Sequence, residues 1–245
     1  MTKPVQPLSV LSAGSMRHAF PAIITAFGEL NDTPVSLTLG PAGLLRERIE
    51  AGEHFDLFAS ANMAHPRHLA AQGISDEAIC FTRNRLCVLA RSDLGLTTTN
   101  LLDVITDPRI KIGTSTPGDD PSGDYAFEVF ELIEAKHPGL GEPLKSRARQ
   151  LVGGRSSSPT PPGKGAGWLI VDGEVDLFLS YYSNGRRLKS DPAISVVALP
   201  EEFSPSIEYG VTIRKDGRTE AEQLRDFLLS SDGQRILAQN GFEPA

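Results

Sequence analysis

A chain of 245 residues with 40% hydrophobic, 22% charged and 7% aromatic residues can build a sizeable core, in one large or two smaller domains, without disulfide or metal staples. Its 31 acidic and 24 basic residues leave a formal charge of −7 with neither sign gathered into a long block, which excludes the basic footprint of sequence-independent nucleic-acid binding. No apolar run approaches the roughly 18 residues that span a bilayer. Met1 to Pro7 lacks the basic flank and apolar stretch of a secretory signal, so the residues alone fit a cytoplasmic chain or one whose signal was replaced by a start Met.

Short apolar runs alternate with helical patterns, the mark of βαβ units. Leu8 to Leu11 reads as a first strand. Met16, Ala19, Phe20, Ile23, Ile24 and Phe27 then line one helix face, with Ser15 placed as its N-cap and Pro21 expected to bend it. Val35 to Leu39 reads as a second strand, followed by the turn 40–43 and a helix closed by Gly52 in a left-handed cap. Asp56 to Ala59 is a third strand, 62–72 a short helix, and Arg85 to Ala90 another strand. If the segment from Cys80 to Cys87 is one straight strand, it spans roughly 23 Å at about 3.3 Å per residue, too far for a disulfide. Both cysteines then read as small buried apolar residues.

The pattern restarts with a helix at 101–105, a strand at 109–114, a loop at 117–123 and a helix from Asp124 to Lys136. Breakers and hydroxyls fill 153–163, a long loop of the kind that carries function. A helical stretch at 165–171, an apolar strand at 175–180, strands at 194–199 and 208–213, and helices at 219–229 and 232–240 complete the chain.

Four strand-to-helix turns are rich in glycine and hydroxyls: 12–15, 40–43, 117–123 and 163–165. In an open parallel sheet such turns share the carboxyl edge, where helix ends present unpaired N–H groups, so together they suit an anion. Catalytic patterns are missing: there is no phosphate-binding G-x-x-x-x-G-K-[ST], no G-x-G-x-x-G and no G-x-S-x-G elbow. Ser15 and His18 are helix neighbours without an identifiable orienting acid. His65 and His68 share a face without zinc-ligand neighbours and read as solvated surface residues. Asp119 and Asp120 read as turn formers, with a hard cation as the alternative.

The ordered set Ser12-Ala-Gly-Ser-Met16, Gly40-Pro-Ala-Gly-Leu-Leu-Arg-Glu-Arg-Ile-Glu-Ala-Gly52, Phe55-Asp-Leu-Phe-Ala-Ser-Ala61, Thr82-Arg-Asn-Arg-Leu86, Pro117-Gly-Asp-Asp-Pro-Ser-Gly-Asp-Tyr-Ala126, Gly173-Glu-Val-Asp-Leu-Phe-Leu-Ser-Tyr181 and Asn240-Gly-Phe242 resembles the molybdate-binding proteins of bacterial ABC importers over nearly the whole chain. The resemblance implies an α/β type II periplasmic binding protein with two lobes, each a mainly parallel sheet with flanking helices, and a ligand cleft between them. It places one lobe at 1–82 plus 204–245 and the other at 83–203. It implies a periplasmic, non-enzymatic, monomeric protein without a cofactor. Such a protein would hand molybdate or tungstate to a permease.

The matching oxyanion positions are Ser15, Ala42, Gly43, Ser122, Gly163 and Tyr181; molybdenum or tungsten would meet Ser15, Ser122 and Tyr181 only as the oxyanion. Asp120, Arg155 and Lys164 are additional candidates. Asp120 stands in a loop resembling an archaeal-type branch that completes an octahedral shell with carboxylates. Ala42 replaces a common family serine, and the segment 149–162 is longer than usual, which leaves sulfate, an organic acid, or a cytoplasmic sensor or enzyme on the same fold as alternatives.

Overall fold

The computed structural model describes residues 6–158 and 167–245. Contacts separate the chain into two compact units, one taking residues up to Arg83 and from Ile207 onward, the other Asn84–Ser206.

In the first unit, β1 (Leu8–Ala13), α1 (Ala19–Gly28), β2 (Val35–Gly40), α2 (Ala42–Glu50), β3 (Leu57–Ser60), α3 (Ala64–Ala71) and β4 (Ile79–Asn84) follow in order. In the second come β5 (Leu86–Arg91), α4 (Leu101–Thr106), β6 (Ile112–Ser115), α5 (Pro121–Lys136), α6 (Gly141–Arg147), β7 (Arg149–Val152), α7 (Trp168–Val171), β8 (Leu177–Tyr181), α8 (Tyr182–Gly185) and β9 (Ile194–Ala198). The chain then returns to the first unit as β10 (Ile207–Ile213), α9 (Thr219–Leu229) and α10 (Ser231–Gln239).

Each unit is built on one five-stranded sheet, ordered β2-β1-β3-β10-β4 and β7-β6-β8-β5-β9. Both are mixed rather than mainly parallel. β2, β1 and β3 run parallel and β10 opposes β3; β7, β6 and β8 run parallel while β5 opposes both β8 and β9. The parallel strands are those joined by helical crossovers, as their chirality and length require. Central strands are apolar on both faces: Leu57, Phe58 and Ala59 in β3, and Leu177 and Leu179 in β8, are inaccessible to solvent.

Several local features depart from the sequence pattern. Gly14–Met16 is a separate 3-10 turn, and α1 begins only at Ala19. Pro21 therefore lies in the first helical turn, where its missing N–H has no intrahelical partner to lose, and it needs no bend. The run 79–91 is two strands, not one, broken at Arg85 and shared between the two sheets. Cys80 and Cys87 are both free; burial pushes the Cys87 thiol up to about 12 and leaves it inert. α6 and β7 occupy a polar stretch whose periodicity is too weak to mark them.

His65 is not a surface residue. It is 9% exposed, at the start of α3, and burial together with nearby Arg46 lowers its pKa to about 4. The unfolded chain binds a proton near pH 6.5 that the folded chain refuses, so stability is lost as pH falls from 6.5 towards 4, by about 2–3 kcal/mol at pH 4.5. His65→Gln should remove this dependence. Melting curves at pH 7 and pH 4.5 check it, with the variant losing several degrees less than the parent.

Candidate functional site

The first unit assembles donors where β1 and β2 end. The strands are in register from Leu8↔Val35 to Ala13↔Gly40, so Ser15 and Ala42 each lie two residues beyond a paired position on adjacent parallel strands. Ser15 is not the N-cap of α1. Its hydroxyl lies 2.9 Å from the Tyr209 phenol on β10, which orients it, and the Arg17 side chain closes the turn by donating to the Gly14 carbonyl at 2.8 Å. Tyr209 is solvent-inaccessible and packs edge-on against Phe81 and Phe242, so the phenol is held rigidly.

α2 starts from Pro41, which offers no side-chain cap, and the first backbone bond back to Pro41 comes from the Leu45 N–H at 3.0 Å. The N–H groups of Ala42 and Gly43 thus have no intrahelical acceptor, and they sit at the positive end of the helix. Both residues are buried. With alanine at position 42, this turn contributes backbone donors alone.

In the second unit, α5 begins at Pro121, three residues earlier than the pattern predicts, because Asp120 caps it. Ser122 therefore sits inside the first turn, not before the helix. The Asp120 carboxylate accepts from the Ser122 N–H at 3.1 Å and from the Ser115 hydroxyl at 2.7 Å, at the end of β6. Tyr125, one turn further along α5, meets the Tyr181 ring edge-on at 6.5 Å between centroids. This contact brings Ser122 and Tyr181 to the same end of the unit, where both are buried.

The segment after β7 seats against this end. The Thr116 hydroxyl donates to the Val152 carbonyl at 3.0 Å, and the Ser115 hydroxyl oxygen lies 3.1 Å from the same carbonyl. Gly153 adopts φ +75°, and a Cβ there would strike the Ser115 hydroxyl and the Asp120 carboxylate, so only glycine fits. Arg155 is held by Asp119, its N–H at 2.9 Å and its guanidinium at 2.7 Å, and this pairing keeps the Asp119 carboxyl below its ordinary range. Asp124, by contrast, is pushed up by burial although it accepts from the Gly118 N–H at 2.7 Å.

The candidates thus fall into three groups. Ser15, Ala42 and Gly43 are brought together in one unit, and Ser122 and Tyr181 in the other. Asp120 and Arg155 are engaged as a helix cap and as an ion-pair partner. Gly163 and Lys164 lie outside the described residues. Tyr209 and Tyr125 were not legible as site residues, since each reads in sequence as an ordinary apolar position. Among the described residues no cluster of three His, Cys, Asp or Glu could hold a metal ion, and no helix is long and apolar enough to cross a membrane.

The family model for bacterial extracellular solute-binding proteins matches residues 8–243. The chain belongs to that family. An uncharacterized protein of Pasteurella multocida is 38% identical over 97% of this chain and 99% of its own length. The molybdate-binding protein ModA of Escherichia coli is 25% identical over 96% of this chain and 88% of its own. The periplasmic molybdate-binding protein of Azotobacter vinelandii superposes with a TM-score of 0.78 at 18% identity, covering 97% of this chain and 99% of that one. This solute-binding protein therefore has the two-lobed α/β architecture that the motifs imply, and its likeness to molybdate-binding proteins holds across its length.

Proposed function

We propose that this solute-binding protein captures molybdate or tungstate and delivers it to the permease of an ABC importer, outside the cytoplasmic membrane, without making or breaking a bond. The observation that carries the reading is the donor set of the first unit, a Ser15 hydroxyl fixed by Tyr209 beside the uncapped N–H groups of Ala42 and Gly43. Neutral donors at helix ends bind a dianion without burying a counter-charge, which would cost several kcal/mol of desolvation. Ser122 and Tyr181 supply a second set of neutral donors in the other unit. The protein acts as a monomer and needs no cofactor.

Asp120 has the role of a cap in this reading and is no ligand. Asp120→Asn should keep the cap and remove a charge that opposes the anion, so oxyanion affinity is expected to stay level or rise severalfold. A carboxylate that bound molybdenum directly would make the same change a loss. Arg155, engaged by Asp119, adds no net charge for an organic acid to exploit. The test of the whole reading is calorimetric titration with molybdate, tungstate, sulfate and phosphate. One site per chain with the first two strongly preferred supports it, and binding of none refutes it.

A further inference from the structure

Where β1 and β3 begin in the first unit, and β6 and β8 in the second, the two units share one plan. The Asp56 carboxylate accepts from the Ser9 N–H at 2.7 Å and the Asp176 carboxylate from the Lys111 N–H at 2.8 Å, and both aspartates are buried. Val10 is in register with Leu57 as Ile112 is with Leu177, and the Asp56 and Asp176 carbonyls accept from the Arg214 and Arg91 N–H groups at 3.1 and 2.9 Å. Arg214 and Arg91 are therefore counterparts, yet their side chains end differently. Arg91 pairs with the Asp176 carboxylate at 3.0 Å. The Arg214 guanidinium instead lies 2.7 Å from His54 Nδ1, and His54 Nε2 faces the Asp56 carboxylate at 3.6 Å. A guanidinium only donates, so Nδ1 accepts, and the imidazole stands between arginine and aspartate without bringing a negative charge of its own.

A cleft of about 750 Å³ opens beside this arginine. Lys215 and Arg218 line it too, each with a carboxylate of its own, Asp76 at 3.2 Å and Glu220 at 3.2 Å. Its acidic groups are Asp56, taken up by the Ser9 N–H and the His54 ring, and the exposed Asp216. Arg214 is thus the cation of the cleft that no carboxylate of the described residues pairs with. Its planar fork matches the paired oxygens of a carboxylate or phosphate. The volume is that of a small-molecule site rather than of a single inorganic ion, and the polar lining suits a charged or hydroxylated body. We infer that this cleft binds a small organic anion through a carboxylate or phosphate group seated on Arg214. The site stands apart from the oxyanion donors, because β1 is entered at this end and left at the other, six residues and about 20 Å away.

The test is an NMR titration of the isotope-labelled protein with succinate, citrate and ribose 5-phosphate, with ribose as the neutral control. The inference predicts saturable shifts of the Gly217 and Arg218 amides, with a Kd on the order of 1 mM for a single solvent-open fork, and none with ribose. A response to succinate and citrate identifies the seated group as a carboxylate, and one to ribose 5-phosphate as a phosphate. Arg214→Gln should weaken binding roughly fivefold or more, and so should His54→Ala, which frees Arg214 to reach Asp56 as Arg91 reaches Asp176. His54 and Arg214 are both exposed, and circular dichroism checks the fold. No saturable shift with any of the three anions, or equal affinity in the parent and Arg214→Gln, overturns the inference. Shifts at the Ala42 and Gly43 amides in place of those at Gly217 and Arg218 would put the anion on the strand-end donors and overturn it too. The molybdate titration succeeds or fails independently of these outcomes.

Discussion

Replacing Ser15 by alanine, or Tyr181 by phenylalanine, is expected to weaken oxyanion binding by about 10- to 100-fold while leaving the protein folded. A hydrogen bond to a charged group contributes about 1.5–3 kcal/mol, and each substitution removes one hydroxyl and little else. Tyr181→Phe keeps the ring that meets Tyr125 edge-on, so the packing of β8 against α5 survives. Ser15→Ala leaves the Tyr209 phenol without its 2.9 Å partner, a stability cost of about 1 kcal/mol. Calorimetric titration measures the affinities and a melting curve the stability. Unchanged affinity in both variants would show that the donors have been assigned to the wrong end of the strands.

Gly123→Ala should be strongly damaging beside the second donor set. A Cβ at this position would lie 2.5 Å from the Pro117 nitrogen and 2.8 Å from the Ser115 carbonyl, and would strike the Thr116 carbonyl carbon. All three are backbone atoms, so no side-chain rotation can relieve the contact, and α5 must shift away from β6. The expected cost is about 3 kcal/mol, roughly 6–12 °C in melting temperature for a chain of this size. Because Ser122 and the Asp120 cap flank the shifted residue, oxyanion affinity should fall as well. A comparable addition at Gly28, where nothing lies within 4 Å of the added carbon, should cost little.

Periodicity carried much of the fold. α9 spans Thr219–Leu229 as its apolar spacing predicts, and β8 follows from a continuous apolar run. What escaped was governed by single polar contacts with no periodic signature. The boundary of α5 was misplaced because Asp120, read as a turn former, is its cap. The role of Ser15 was misread because Tyr209 lies 194 residues away in the chain. His65 was misread because two histidines on one helix face do not reveal which is covered. The places of Ser15, Ala42, Gly43 and Ser122 were legible from glycine and hydroxyl turns and that of Tyr181 from the end of an apolar strand, while their part as donors was implied by the family resemblance. Their partners came from β10 and α5 through tertiary packing, which spacing does not encode. The pairing of Arg155 with Asp119 was likewise invisible, although both residues had been singled out.

The central claim is that the donors serve a tetrahedral inorganic dianion, and the most direct measurement is a series of thermal melts. Molybdate, tungstate, sulfate, phosphate and several small organic acids would each be added at millimolar concentration. A ligand that binds only the folded state stabilises it by RT ln(1 + [L]/Kd), which is about 4 kcal/mol at 1,000 times Kd and raises the melting temperature by roughly 8–16 °C here. The account predicts such a rise with molybdate and tungstate and a much smaller one with the others. No rise with any inorganic oxyanion, or a large one confined to an organic acid, would contradict it.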